Sequence, residues 1–483
     1  MNYRLIILIL GRIFILSAAA MVPSLFVSFV YKDGVHTYFM VPMALLLVFG
    51  IILEFLLKKH HRSMRPREGF VIAALCWITI VIFGALPPYL SGQIPDYIDS
   101  IFEMAAGFTT TGATILPSVE NMAKSIVFWR AFTQWIGGMG VLVLTLAIMP
   151  SGERGVFSLM RAESTGPSSE RLLPRVRQSA LVLYGIYIAL TLIQTIFLLI
   201  GKMNLYDALI HAFTTAGTGG FSSRDIGLAA FESSFVEYTI AIFMILFSIN
   251  FGLYYALFTR SYKRLRDNTE LRVFLSMIFI STILIGLNLW ANGVYGSAEE
   301  IIRQSFFHSA SLGSSTAFHL TDYNLWPEFS KVILMILLVI GGCAGSTASG
   351  LKVVRISTLC KSAVREVKRI VHPRSVSVVH SNKEPIQDKD LLGTLHYFVI
   401  YLLFIVGATM LVSLDKHSME TSFSGVLAMI SNVGPGFGAV GPIANYADFS
   451  HLSKLVFSVI MLVGRLEIYP ILISLMPSTW KRA

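Results

Sequence analysis

"VIGGCAGSTASGLKVV", residues 339–354, interrupts an apolar run that begins as "KVILMILLV". Four glycines fall within residues 341–350, with Ser346, Thr347 and Ser349 among them. The upstream run reads as a membrane helix. Glycine weakens a helix and bares its backbone. Bare backbone in lipid is costly, because nothing there can hydrogen-bond it, and it is tolerated only inside protein or beside water. The stretch therefore calls for a polar interior at membrane depth.

Composition agrees with a membrane setting. Of 483 residues, 54% are hydrophobic and 14% charged, where soluble domains carry about a quarter charged residues. The three cysteines, Cys76, Cys343 and Cys360, are scattered and suggest no disulfide framework. A formal charge of +10 could indicate nucleic acid, but its placement argues for topology. Most Lys and Arg lie in segments that alternate to one side: "KKHHRSMRPR", 150–177, "RSYKRLRDNTELR", 352–390 and the tail "WKRA". That bias sets both termini in the cytoplasm and leaves no nucleic-acid partner. The N-terminus has a basic start and small residues, like a signal peptide. Arg12 interrupts its apolar stretch, however, and hydrophobicity resumes through Val30, so a retained first helix is expected.

Apolar runs near 5–30, 38–57, 70–90, 125–149, 178–201, 235–259, 273–292, 330–350, 391–414 and 453–477 predict ten spans, of which only 330–350 looks flawed. Acidic residues, among them Asp96, Asp99, Glu103, Glu299 and Glu300, favour the outer segments. An acidic mouth would concentrate cations; a solvated face would look the same.

Four outer segments share a layout: "IFEMAAGFTTTGAT" (101–114), "LYDALIHAFTTAGTGGF" (205–221), "IIRQSFFHSASLGSSTAF" (301–318) and "SFSGVLAMISNVGPGFG" (422–438). Each is a short amphipathic helix, then small polar residues and a glycine, then another apolar span. Aligning Gly112, Gly217, Gly313 and Gly434 gives a fourfold repeat of span, half-length helix, glycine loop and span. Each unit crosses twice and re-enters once, so all four share one orientation. The predicted fold is an all-α polytopic membrane protein, with two extra N-terminal helices plus four parallel helix–pore-loop–helix repeats around one pseudo-fourfold ion pore. The units are an N-terminal hairpin (1–60), pore repeats at 69–150, 176–260, 270–357 and 391–480, and a cytoplasmic segment at 358–390. One such loop alone is equally a tight turn. Four on one axis can offer carbonyl oxygens in place of a cation's hydration shell.

Thirty-one residues beyond each aligned glycine stand Val143, Ser248, Ala344 and Arg465. Ala344 lies in the glycine-rich break, and Arg465 is a charge within the last span. A charge at membrane depth normally faces water or a partner. The expectation is a gate formed by Gly341, Gly342, Cys343, Ala344, Gly345, Ser346, Thr347, Ala348, Ser349 and Gly350, with Arg465 as an electrostatic barrier. A close-packing kink and a structural ion pair are the plainer readings of these two features. No catalytic constellation is evident. His60, His61, His308 and His319 lack metal-ligand spacing, and "GFGAVG" (436–441) lacks the strand a nucleotide loop needs.

The carriers "TTTGAT", "NVGPGFG", "GGCAGSTASGLKVVR", "WIGGMG" (135–140) and "GRLE" (464–467) resemble the Trk, Ktr and HKT superfamily of cation transporters, most closely its longer TrkH branch. The resemblance spans essentially the whole chain. It implies potassium uptake across the bacterial inner membrane, with potassium as the transported ion and no organic cofactor. It also implies a homodimer in lipid and a cytoplasmic ring of RCK-type, TrkA-like nucleotide-binding subunits. The potassium filter carried onto this chain comprises Thr110, Thr111, Gly112, Thr215, Ala216, Gly217, Ser311, Leu312, Gly313, Asn432, Val433 and Gly434. Two departures leave the register open: "SLGSSTAF" lacks a Thr-Gly pattern, and Gly219 and Gly220 rival Gly217. A sodium- or proton-coupled secondary transporter is the alternative, although it favours inverted repeats. An intramembrane lipid enzyme would need clustered carboxylates or histidines.

Overall fold

The computed structural model describes residues 1–57, 66–140, 176–374, 378–382 and 384–480. The first two helices, Tyr3–Tyr31 and His36–Leu57, form an antiparallel hairpin. Gly11 and Gly50 let them touch: a Cβ at Gly11 would meet Leu53, and one at Gly50 would meet Gly11. Small residues at such crossings let backbones approach closely in lipid. Arg12 pairs with Glu54 across the hairpin at 3.0 Å. At the turn, Asp33 accepts from Val35 N–H and from Ser125 N–H at 3.0 Å, tying the hairpin to the first quarter.

The rest of the chain repeats one pattern four times. The first helices are Pro66–Gly84, Val176–Ile200, Thr269–Ala291 and Asp388–Val412. The short pore helices are Tyr97–Phe108, Leu205–Ala216, Ala298–Gly313 and Met419–Ile430. Each pore helix starts on a side-chain cap: Asp96, Asn204, Ser297 or Ser418 accepts an N–H from the first turn. An acidic residue follows within that turn, which suits the positive end of the helix.

The second helices, Lys124–Met139, Ser234–Phe247, Glu328–Ile340 and His451–Arg465, are short. Here the structure departs from a single flawed span. The 235–259 run breaks into Ser234–Phe247 and Phe251–Phe258, bent by 89°, and the 453–477 run into His451–Arg465 and Tyr469–Leu475, bent by 118°. Six described helices are long and apolar enough to span a membrane, or eight with each bent pair counted as one span, against ten expected. Three of the four predicted levels, at Ser248, Ala344 and Arg465, coincide with breaks; Val143 lies outside the described residues. The periodic apolar signal runs through the breaks because the residues on both sides are equally apolar. His60, His61 and parts of the basic segments 58–67, 150–177 and 352–390 and of the tail also lie outside the described residues.

Helix Val353–Val371 follows the glycine-rich stretch and crosses the 357/358 boundary. A two-residue antiparallel ladder, His380–Ser381 with Glu384–Pro385, precedes the fourth quarter. Among the described residues no disulfide forms; Cys76 and Cys343 are buried and Cys360 is exposed.

Candidate functional site: four pore loops above a glycine-rich loop

The four pore helices end alike. Thr109, Gly217, Ser314 and Ser431 are the C-caps. The next residue in each loop, Thr110, Thr218, Ser315 or Asn432, has φ between +51° and +57°, and the residue two further, Gly112, Gly220, Ala317 or Gly434, lies between +61° and +92°. The same capping bonds recur. Thr111, Gly219, Thr316 and Val433 each donate an N–H back five residues into the pore helix, at 2.8–3.0 Å. The backbone register is therefore Gly112, Gly220, Ala317 and Gly434.

The sequence alignment matched this register in the first and fourth quarters only. Gly217 is a C-cap, and Thr215 and Ala216 belong to the second pore helix. Ser311, Leu312 and Gly313 form the last turn of the third. The third helix has 16 residues where the others have 12, so glycine matching slides along its extra turn. Counting from the N-caps finds the register: 96 to 109, 204 to 217 and 418 to 431 are each 13 residues, and 297 to 314 is that plus one turn.

The loops touch in chain order. A Cβ on Gly112 would strike the Gly219 carbonyl oxygen, one on Gly220 the Thr316 oxygen, and one on Gly434 the Thr111 oxygen. The third and fourth quarters meet through Asn324, whose amide donates to Gly438 O at 3.1 Å and accepts Gly438 N–H at 3.3 Å. Asn432 closes the ring, donating to Thr111 Oγ1 at 3.0 Å and Met461 O at 2.8 Å. Among the described residues, the carbonyls of Thr110, Thr218, Ser315 and Asn432 accept no hydrogen bond. Buried peptide oxygens are normally paired, so these four are free to take another ligand.

Several buried side chains brace the ring. Gln134 donates to Gly219 O at 2.8 Å and accepts Phe221 N–H. Tyr446 Oη donates to Gly434 O at 2.8 Å. Glu103, buried, pairs with Arg130 and accepts from Thr114 Oγ1 and Ile115 N–H at 3.0 Å. Sequence reading placed Glu103 in an acidic mouth; it is instead a strut behind the loop. The carboxylates of three of the other four acidic candidates are also engaged. Asp96 caps its helix, Asp99 pairs with Lys454 at 2.7 Å, and Glu299 pairs with Arg303. Glu300 donates its N–H to Ser297. The cavity above the ring, about 130 Å³, is lined by Arg130, Arg224, Asp225 and His319 as well as by loop residues, so its charge is mixed. There, burial pushes the Asp225 carboxyl up, but hydrogen bonds from Val119 N–H, Ser118 Oγ and Glu120 N–H outweigh it and hold the group below the usual carboxylate range.

Below the ring lies the 341–350 segment. It is a closed loop whose neck is zipped by Leu351 N–H to Val339 O at 3.0 Å and Val353 N–H to Gly342 O at 3.1 Å. Gly341, Gly345 and Gly350 have φ of +72°, +72° and +87°, and Lys352 +66°. Gly341 and Gly350 must be bare, since a Cβ on either would enter the other limb. Loop and ring are bonded: Thr218 Oγ1 donates to Thr347 O at 3.1 Å, and Ser349 N–H to Ser315 Oγ at 2.7 Å. Both ring partners are left-handed residues of the pore loops. Cys343 and Thr347 N–H donate to Ser248 O and Phe247 O, at the break in the second quarter.

Arg465 meets the loop, as the spacing predicts. Nη1 donates to Thr347 O at 3.1 Å and Ser349 Oγ at 3.0 Å; Nη2 donates to Gly137 O at 2.5 Å and Gly138 O at 2.7 Å. Its guanidinium bridges the loop and the end of the first quarter's second helix, within "WIGGMG". Glu467 pairs instead with Arg355. Lys352 and Glu270, both buried, escaped sequence reading. Lys352 Nζ donates to Ala348 O and, at 3.5 Å, Cys343 O. The signal was present, a lysine directly after a glycine-rich break in an apolar run.

The family described as TrkH, cation transport protein, matches residues 35–481. The chain is 34% identical to "Trk system potassium uptake protein TrkH" of Escherichia coli strain K12, over 100% of both chains. It is 29% identical to "Trk system potassium uptake protein TrkG" of the same strain, over 99% of both. The crystal structure of the potassium transporter TrkH from Vibrio parahaemolyticus superposes with a TM-score of 0.90, at 31% identity and full coverage of both chains. A helical, multi-pass membrane architecture, a ring of four re-entrant loops and agreement along the whole length converge: the chain belongs to the TrkH family of cation transport proteins.

Proposed function

We propose that this chain takes up potassium across the bacterial inner membrane through the ring of four pore loops. The observation that carries the reading is the ring itself: four loops with matching left-handed residues, touching in chain order, each with an unpaired carbonyl. Such oxygens can replace a cation's hydration shell. Residues 110–112, 218–220, 315–317 and 432–434 form the filter. The name of the Escherichia coli relative, a potassium uptake protein, supports potassium as the ion.

The 341–350 loop is the gate. It hangs from the ring through Thr347 and Ser349, and Arg465 pins it there while adding a positive barrier to cations. Both termini are cytoplasmic, by the distribution of Lys and Arg. The protein works as a homodimer in lipid, and a cytoplasmic RCK-type nucleotide-binding subunit moves the gate through the segment after the loop. The membrane potential supplies about 2.3 kcal/mol per charge per 100 mV. Purified chain in liposomes should pass potassium faster than sodium and exclude choline, with flux following an imposed voltage. Equal passage of all three cations, or no potassium passage even with residues 345–349 deleted, refutes the reading.

A further inference from the structure

The gate loop is held from a third direction. Helix Thr269–Ala291 begins beneath it, its first turn fixed by Asn268 Oδ1, which accepts Leu271 N–H at 2.7 Å, and by Asn382 Oδ1, which accepts Thr269 N–H at 2.9 Å. From that turn Glu270 Oε1 accepts two backbone N–H groups, Ala344 at 2.7 Å and Val354 at 3.2 Å. These two donors stand on opposite sides of the loop's neck. One carboxylate oxygen therefore joins the entering and leaving limbs to a helix that is part of neither. Lys352 completes the arrangement from inside, its ammonium on Ala348 O and Cys343 O and its charge beside Glu270.

We propose that Glu270 is a positioning residue for the gate: by clasping both limbs of the neck to the first helix of the third quarter, it keeps the tip of the loop under the ring and against Arg465. This rests on reading 341–350 as the gate. The clasp has a reason to be acidic. Hydrogen bonds to an ionised acceptor are about twice as strong as neutral ones, and the two amides it satisfies would otherwise be orphaned at membrane depth. It also links the gate to the cytoplasmic side, because Asn382, which fixes the turn bearing Glu270, stands in the turn between the two strands of the short ladder.

Cys343 gives a direct readout, since it lies in the loop and is 1% exposed. In a Cys76→Ser, Cys360→Ser background reconstituted in liposomes, alkylation of Cys343 by N-ethylmaleimide reports opening of the loop. Glu270→Ala should speed alkylation and raise basal potassium flux about ten- to hundredfold, the loss of two charge-assisted bonds, with the potassium-to-sodium ratio unchanged. Glu270→Gln keeps the shape and a neutral acceptor, and should move both rates in the same direction by about threefold. The Gln variant decides the matter if the Ala variant loses its monodisperse profile. Unchanged alkylation and flux in a variant whose parent conducts potassium overturn the clasp. Deletion of residues 345–349 that leaves cation flux unchanged overturns the gate reading itself.

Discussion

Arg465 offers the sharpest perturbation of the proposed gate. Of the four hydrogen bonds it makes among the described residues, two hold the loop, at Thr347 O and Ser349 Oγ, and two hold Gly137 O and Gly138 O. A hydrogen bond to a charged group contributes about 1.5–3 kcal/mol. Replacing Arg465 by Gln removes about 3 kcal/mol from the loop side, roughly a hundredfold in the closed-to-open ratio at 1.4 kcal/mol per tenfold. That is an upper bound on the leak, because Thr218, Ser315, Phe247 and Ser248 still hold the loop. The expected result is a ten- to hundredfold rise in potassium leak from liposomes containing the chain alone. Arg465→Lys separates charge from bridging. An ammonium is a point donor and cannot span both sides as a planar fork does. The Lys variant should therefore leak more than the parent and less than Gln. A Gln variant within twofold of the parent refutes the pinning argument. A Lys variant equal to the parent shows that charge alone suffices and refutes the bridge.

Gly112→Ala drives a methyl into the Gly219 carbonyl at φ +78°, so potassium flux should be lost; Gly92→Ala, at φ +70° with open space around it, should cost about 1 kcal/mol of stability and leave flux intact, as thermal unfolding in detergent will record. Glu103→Gln leaves Arg130 buried without its counter-charge, and should destabilise the protein by about 3–5 kcal/mol, read as a large drop in thermal midpoint. Asp225 ties the 118–120 segment to the second loop. Its folded pKa is lowered, so its contribution is present at neutral pH and fades as pH falls below the ordinary carboxylate value of about 3.9. Outer-loop proteolysis should rise on acidification in the parent, and in Asp225→Asn should be high at every pH.

The architecture was legible because it is written in features that lipid enforces. Apolar runs, re-entrant segments and a glycine-rich break at one depth all answer to the scarcity of hydrogen-bond partners in lipid, and Arg465 could be paired with the 341–350 loop by spacing alone. The register was not, because glycine is a poor marker of these loops. The left-handed residue after each C-cap is Thr, Thr, Ser or Asn, and in the third quarter even the usual glycine position is Ala317 at φ +61°. A left-handed alanine costs about 1–2 kcal/mol, a strain that persists where surrounding bonds over-determine the backbone. Ser311 and Leu312 supply such bonds, accepting from Thr316, Ala317 and Ser315.

The acidic mouth failed for a related reason. A carboxylate's sign is visible in sequence, but its partner is not. Glu103 finds Arg130, Asp99 finds Lys454, and Asp225 finds three donors on another loop. What remains free in the ring, among the described residues, is neutral backbone oxygen. A site built from carbonyl dipoles needs no net charge to attract a cation, and it keeps its shape only if the charges around it are spent on one another. On that view the paired carboxylates stiffen the ring. Breaking the buried Glu103–Arg130 pair should then loosen the first loop and impair discrimination between potassium and sodium more than it slows total flux, whereas a variant that lost flux with its ion ratio intact would return these carboxylates to the role of an attracting field.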